Sequence, residues 1–279
     1  MRVAFQGEPG AYSEAATERF FGPTAEPVPC ASFDEVYERV QSGNCDRGTV
    51  PIENSLAGSI HRNYDLLLRH DLFIVGEVIL RVSHNLIANP GVALADLERV
   101  YSHPQALDQC EQTLKALLPA AQRIPTYDTA GSAKLLKERD DRHAAAIASR
   151  RAAELHGLSI LRENLEDDPQ NYTRFLILSR IAIQPASPAK TSIVFSARNV
   201  PGALFKSLSV FALRDIDLTK IESRPLQGRP WEYFFYVDFL GSLQEERCAN
   251  AIANLKEIAT FLRVLGSYPR DLGAAGGAS

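Results

Sequence analysis

Short apolar runs alternate with helix-patterned stretches along the first 183 residues, until a segment carrying two prolines interrupts them. Residues 3–5, 26–29, 47–52 and 72–81 are strand-like, and residues 11–20, 33–41 and 59–69 have helical patterning. The rhythm continues through strand-like 99–101, helical 105–118, strand-like 122–126, helical 130–139 and the apolar run 144–148. It closes with strand-like 175–183, reached through a polar stretch, 163–172, that reads as a loop crossing over the molecule. Strands separated by helices join most simply as parallel neighbours, so the expectation is an α/β fold. The interruption is QPASPA at 184–189, where proline removes backbone donors and fixes φ. Beyond it the order becomes strand 191–197, helix 202–214, strand 217–224, strand 231–240, helix 245–259 and strand 263–267. That βαββαβ order is the ferredoxin-like unit. The expected domains are therefore 1–183, a linker at 184–190, a second domain at 191–270, and a disordered tail at 271–279.

Bulk properties narrow the function. Hydrophobic residues make up 45% and charged residues 23%, an ordinary soluble composition. A formal net charge of -4 gives no electrostatic support for nucleic-acid binding. No run approaches the roughly 18–20 apolar residues that span a bilayer, so no membrane partner is expected. The start, MRVAFQGEPG, enters a strand-like run without the apolar stretch of a secretory signal, and a cytoplasmic location is expected. Cys30, Cys45, Cys110 and Cys248 are scattered without a C-x-x-C pair, and the histidines lack ligand spacing. Buried reduced thiols, no metal and no cofactor follow as expectations.

Four segments carry polar groups at strand ends. GEPG at 7–10 follows the first strand and opens the first helix. It presents backbone N–H groups to an anion, or is only a tight turn with Ser13 near the cap. The G-x-x-G spacing fits neither a dinucleotide fingerprint nor a Walker loop. VPIENS at 50–55 sets a carboxylate, an amide and a hydroxyl in succession where α/β sheets bind ligands, although Asn54 and Ser55 also suit a helix cap. In YSHPQALDQC at 101–110, Pro104 suits a first helical turn, which puts Ser102 and His103 at the helix start and Gln105 and Gln109 on one face. His103 is either an acid/base candidate or a structural cap. In NYTRF at 171–175, Arg174 is suited either to a substrate carboxylate or to a surface ion pair.

VPIENS, YSHPQALDQC and NYTRF, in this order and preceded by GEPGAYSEAA, resemble the prephenate dehydratase family over residues 1 to about 180. The remainder, with GALF at 202–205 and ESRP at 222–225, resembles the ACT regulatory domain that follows it. The resemblance implies a two-lobed catalytic domain like a type II periplasmic binding protein, with substrate in the cleft. It implies a cofactor-free lyase that converts prephenate to phenylpyruvate. Thr173 matches the family's essential threonine, with Glu53 or a water behind it. Asn54, Ser55, Ser102, Gln109, Arg174 and Phe175 match the other substrate positions. Asn199, Gly202, Ala203, Leu204 and Phe205, with Glu222, Ser223, Arg224 and Pro225, match the site for an L-phenylalanine effector between subunits. A homodimer or homotetramer is implied. Two alternatives stay open. One is arogenate dehydratase, because DTAGSA at 128–133 and SHPQAL look similar to plant-type sequences. The other is a non-catalytic amino-acid sensor, against which the intact TRF and PIEN runs stand.

Overall fold

The computed structural model describes residues 1–226 and 228–272, so the expected disordered tail from 273 on lies outside the described residues. Two compact units make up the chain. One holds Met1–Tyr64 and Val78–Phe175, and the other holds Asp65–Glu77 and the residues from Leu176 onward.

The chain opens as β1 (Arg2–Gln6), α1 (Tyr12–Phe21), β2 (Glu26–Cys30), α2 (Phe33–Gln41), β3 (Arg47–Asn54), the short β4 (Gly58–Ser59), α3 (His61–Arg69) and β5 (Phe73–Arg81). Strand β1 lies parallel to both β2 and β3, and its Val3, Ala4 and Phe5 are buried. Helix α2 starts where the Ser32 hydroxyl accepts the Glu35 N–H at 3.2 Å, and it buries Val36, Tyr37 and Val40 at helical spacing.

Through residues 82–84 the chain passes to a second sheet built from β6 (Asn85–Ala88), β7 (Arg99–Ser102), α4 (Pro104–Gln109), α5 (Glu111–Leu117), β8 (Gln122–Pro125), α6 (Thr129–Arg139), β9 (Ala144–Ala148), α7 (Arg150–His156) and β10 (Ser159–Arg162). The strand order is β10-β6-β9-β7-β8. Strand β7 is parallel to β8 and β9, while β6 is antiparallel to β9 and β10. Every residue of β9, AAAIA, is buried, and its small side chains pack with Ala130, Ala133, Ala152 and Ala153 of the neighbouring helices. Gly10 touches this lobe so closely that a β-carbon there would stand 2.8 Å from the Ala152 Cα. Residues 163–171 then return the chain to the first sheet as β11 (Tyr172–Ser179), giving the order β2-β1-β3-β11-β5. Two sheets joined by two connections make the expected bilobal α/β topology.

In the second unit, β12 (Ala189–Ala197), α8 (Ala203–Ala212), β13 (Leu218–Pro225), β14 (Tyr233–Leu240), α9 (Glu246–Ile258) and β15 (Ala259–Pro269) follow the βαββαβ order. Their sheet, β13-β14-β12-β15, is antiparallel throughout, the ferredoxin-like arrangement. Phe211 and Val210 of α8 and Cys248, Ala251 and Leu255 of α9 bury against Ile193, Phe195, Val237 and Phe239. Residues 65–77 belong to the same unit. The buried Lys190 ammonium sits 2.8 and 2.9 Å from the two carboxylate oxygens of buried Glu77. The Arg263 guanidinium donates to the carbonyls of Leu67 and Leu68, acceptors that the end of α3 leaves without intrahelical partners, and to those of His70 and Leu72 beyond it. All four cysteines are free and buried, and no helix among the described residues is long and apolar enough to cross a membrane.

Candidate active site

A cavity of about 620 Å³ lies within the first unit. The first lobe lines it with Tyr12 and Ser13 at the start of α1, with Pro51 and Asn54 of β3, with residues 57–60, and with Thr173 and Phe175 of β11. The second lobe contributes His103, Gln105, Tyr127, Asp128 and Thr129.

Strand geometry decides which members of the expected site meet here. Thr173 and Phe175 are two residues apart on β11 and face the cavity together, as the pleat requires. Phe175 is buried against Ala16 and Val78, with Tyr12 and Leu80 beside them, and forms an apolar wall. Asn54 ends β3 next to Thr173. Its Nδ2 donates to Thr173 Oγ1 at 3.0 Å, Asn171 Oδ1 at 2.7 Å and the Tyr172 carbonyl at 3.1 Å. Its Oδ1 accepts the N–H groups of Leu56 and Ala57 at 3.1 and 2.9 Å. Both ends of the carboxamide are therefore committed. The Thr173 oxygen already accepts one hydrogen bond, which leaves its own proton to point elsewhere.

Arg174 and Glu53 do not line the cavity. Arg174 lies between Thr173 and Phe175 on β11, Glu53 precedes Asn54 on β3, and the two pair with one another at 3.2 Å. Glu53, expected behind Thr173, and Arg174, expected on a substrate carboxylate, are thus partners of one another outside the cavity lining. Ser55 is also elsewhere: its hydroxyl donates to the Gln170 carbonyl at 2.7 Å and accepts the Tyr172 N–H at 2.9 Å, clamping the returning connection. Ser102 is fully buried and donates to the Ile147 carbonyl at 2.8 Å, a bond between β7 and β9. Gln109 lies behind the cavity, where its Oε1 accepts from Asn171 Nδ2 at 3.0 Å. These three, expected at the substrate, do not line the cavity.

The anion reading of the first turn gives way to the tight-turn reading. The Gly7 N–H is bonded to the Cys30 carbonyl at 3.0 Å, the Gly10 N–H to the Glu14 carboxylate, and the Gly10 carbonyl to the Ser149 hydroxyl. Tyr12 and Ser13, in the first turn of α1, line the cavity. His103 is both cap and lining residue, with its Nδ1 accepting the Gln105 N–H at 3.3 Å.

Among the described residues no lysine or arginine lines the cavity, whereas Asp34 and Asp128 do. Asp34 is paired with the Arg62 guanidinium. Asp128 caps α6 by accepting the Gly131 N–H at 2.9 Å. Burial raises its carboxyl above the ordinary aspartate range, opposed by backbone N–H groups and by the nearby His103. Sequence reasoning placed neither aspartate in the site. Among the described residues no group of three or more His, Cys, Asp or Glu stands where it would hold a metal ion.

The effector positions fall into two patches of the second unit. Asn199, Gly202, Ala203, Leu204 and Phe205 line a cavity of about 210 Å³ with Trp231 and Tyr233. Arg224 and Pro225 line a different one of about 310 Å³, where Arg224 forms a forked pair with Asp65. Glu222 pairs with Lys220 at 3.9 Å. Ser223 pairs with Phe235 across β13 and β14. Within one chain the two patches do not share a cavity.

The prephenate dehydratase family model matches residues 3–182, the whole span that builds the cavity. This chain belongs to that family. It is a lyase-type dehydratase of aromatic amino-acid biosynthesis. Arogenate dehydratase 2 of Petunia hybrida is 53% identical over 99% of the chain and 73% of its own length. Arogenate dehydratase/prephenate dehydratase 2, chloroplastic, of Arabidopsis thaliana is 54% identical over 97% of the chain and 73% of its own length. Among solved structures, prephenate dehydratase from Arthrobacter aurescens in complex with L-Phe has a TM-score of 0.90 at 36% identity, covering 97% of this chain and 90% of that one. GqqA, described as a novel type of quorum quenching acylase, has the same TM-score and identity over 98% of this chain and 99% of that one. The cytoplasmic expectation does not stand, because Arabidopsis relatives 49–54% identical to the dehydratase are chloroplastic proteins.

Proposed function

We propose that the dehydratase converts prephenate to phenylpyruvate with loss of carbon dioxide and water, in the cavity between its two lobes. One proton is consumed as the ring hydroxyl departs as water, and aromatisation supplies the driving force. The observation that carries this reading is the Asn54–Thr173 pair. A hydroxyl whose oxygen is held by a committed carboxamide presents its proton in one direction, which suits a donor to a leaving oxygen. Threonine is too weak an acid to lose that proton outright, so Thr173 stabilises the departing oxygen by hydrogen bonding. Phe175 bounds the apolar ring, and the first turn of α1 offers N–H groups to a carboxylate.

A second substrate is favoured by the lining charge. Arogenate carries an ammonium where prephenate carries a carbonyl, and the Asp128 carboxylate suits that cation better than a neutral carbonyl. The names of the Petunia and Arabidopsis relatives point the same way. Parallel measurement of kcat/KM for the two substrates tests both readings, and formation of neither product would reject them together.

We propose, further, that residues 1–183 are the catalytic domain, 184–190 the linker and 191–270 an ACT domain that binds L-phenylalanine. A ligand resting on GALF of one chain and ESRP of another would use both patches at once, which supports a homodimer or homotetramer.

A further inference from the structure

Each of the two connections between the lobes carries a buried polar side chain that does not line the cavity. His84, 2% exposed, lies in the outgoing connection, and Asn171, 0% exposed, lies in the returning one. Gln109 of α4 joins them. Its Oε1 stands 3.0 Å from His84 Nε2 and 3.0 Å from Asn171 Nδ2. The backbone ties the same segments together, since the Leu165 N–H donates to the His84 carbonyl and the Val82 N–H to the Asn171 carbonyl, each at 2.8 Å.

The direction of every bond in this chain follows from its far end. Backbone N–H groups cannot reverse, so Leu56 and Ala57 fix Asn54 Oδ1 as an acceptor and Nδ2 as the donor. Asn171 Oδ1 then accepts from Asn54, which makes Asn171 Nδ2 the donor to Gln109. Gln109 Oε1 is consequently an acceptor, and His84 Nε2 must carry a hydrogen. On its other side, His84 Nδ1 faces the Tyr12 hydroxyl at 3.1 Å, and that hydroxyl is 2.6 Å from the Ser83 carbonyl. Nε2 is a donor in the neutral ring and in the cation alike, so the polarity toward Thr173 does not depend on the charge of His84. Glu166 lies beside it, with Oε2 accepting the His84 backbone N–H at 2.8 Å and Oε1 paired to Arg81.

We propose that His84 is a positioning residue for the dehydration, acting through Gln109, Asn171 and Asn54 to fix the direction of the Thr173 hydroxyl. The proposal rests on the reading of Thr173 as the donor to the leaving oxygen. Because Asn54 Nδ2 has three acceptors for two hydrogens, the place of Asn171 decides how firmly Thr173 is held. His84 and Asn171 occupy the two inter-lobe connections, so the aim of Thr173 is tied to the arrangement of the lobes.

Two measurements on the full-length protein test this. In ¹⁵N spectra of histidine-labelled enzyme near neutral pH, assigned by loss of signals in His84→Gln, Nε2 of His84 is expected to be protonated. A bare Nε2 would overturn the proposal. In kinetics, His84→Leu is expected to lower kcat about tenfold with KM changed less than twofold, and His84→Gln to recover part of the loss. In a Thr173→Ala background the same substitution is expected to have no further effect on kcat. Equal losses in both backgrounds would show a merely structural histidine and overturn the proposal alone. Near-parental turnover by Thr173→Ala itself would remove the Thr173 reading, and this one with it. If His84→Leu does not fold, Gln109→Leu takes its place in the same cycle, and the spectra still decide.

Discussion

Neighbouring side chains in the TRF run serve opposite faces of one strand. Thr173 lines the cavity, whereas Arg174 pairs with Glu53 outside its lining. Glu53→Gln is therefore expected to reduce kcat by less than tenfold, well short of the 100- to 1000-fold expected for loss of a preorganised donor. Losses of similar size for both would place Glu53 in the chemistry. Asp128 makes a second residue-level claim. Removing its charge in Asp128→Asn should raise the ratio of kcat/KM for prephenate over arogenate on the order of tenfold. Protonation acts in the same direction. The ratio should rise as pH falls through the Asp128 pKa, which burial has moved upward, with Glu8 and His103 as the charged neighbours. A ratio indifferent to both the substitution and pH would remove Asp128 from substrate selection. Of the motif residues, Asn54, Thr173 and Phe175 line the cavity. The motifs gave no sign of His84, whose context V-S-H-N matches no ligand or catalytic spacing, nor of which face each motif residue takes.

At the scale of elements, alternation of strand and helix was readable from apolar periodicity, and the βαββαβ order was readable after the proline-rich segment. Boundaries were less so, and one of them mattered. The last strand of the catalytic part was expected from residue 175, because 171–174 are polar, but β11 begins at Tyr172. Those polar side chains pair with groups of β3 that no local pattern reveals. The expected helix 105–118 breaks at Cys110 into α4 and α5, and β6, α7 and β10 went unread because each is short. The packing of residues 65–77 with the C-terminal part was also invisible, since it depends on contacts far apart in sequence. It carries a prediction. Lys190→Met leaves the Glu77 carboxylate buried without its ammonium and should cost about 3–5 kcal/mol in denaturant unfolding. Gly266→Ala should also destabilise, because a β-carbon there would stand 2.1 Å from the Ile74 carbonyl oxygen. Stability within about 1 kcal/mol of the parent for the lysine variant would mean that the pair is solvated.

In the whole molecule, the residues matched by the prephenate dehydratase family are followed by a ferredoxin-like part proposed to bind phenylalanine. The latter exposes Phe205 and Trp231, each about three-quarters accessible, beside the GALF cavity. A second copy resting there would cover them, so sedimentation is expected to report at least a dimer, and phenylalanine to inhibit with a sigmoidal response. Deleting residues from 190 on would strip partners from Glu77, Ile74 and the end of α3, so Asn199→Ala in the full chain is the cleaner probe of the effector site. It should weaken inhibition while leaving uninhibited turnover unchanged, and unaltered inhibition would place the effector elsewhere. The central claim, that the hydroxyl held by Asn54 acts on the leaving oxygen, has one direct test. Turnover of prephenate and of arogenate by Thr173→Ala should be about 100- to 1000-fold below the parent with the fold retained, and turnover within threefold on either substrate would contradict the claim.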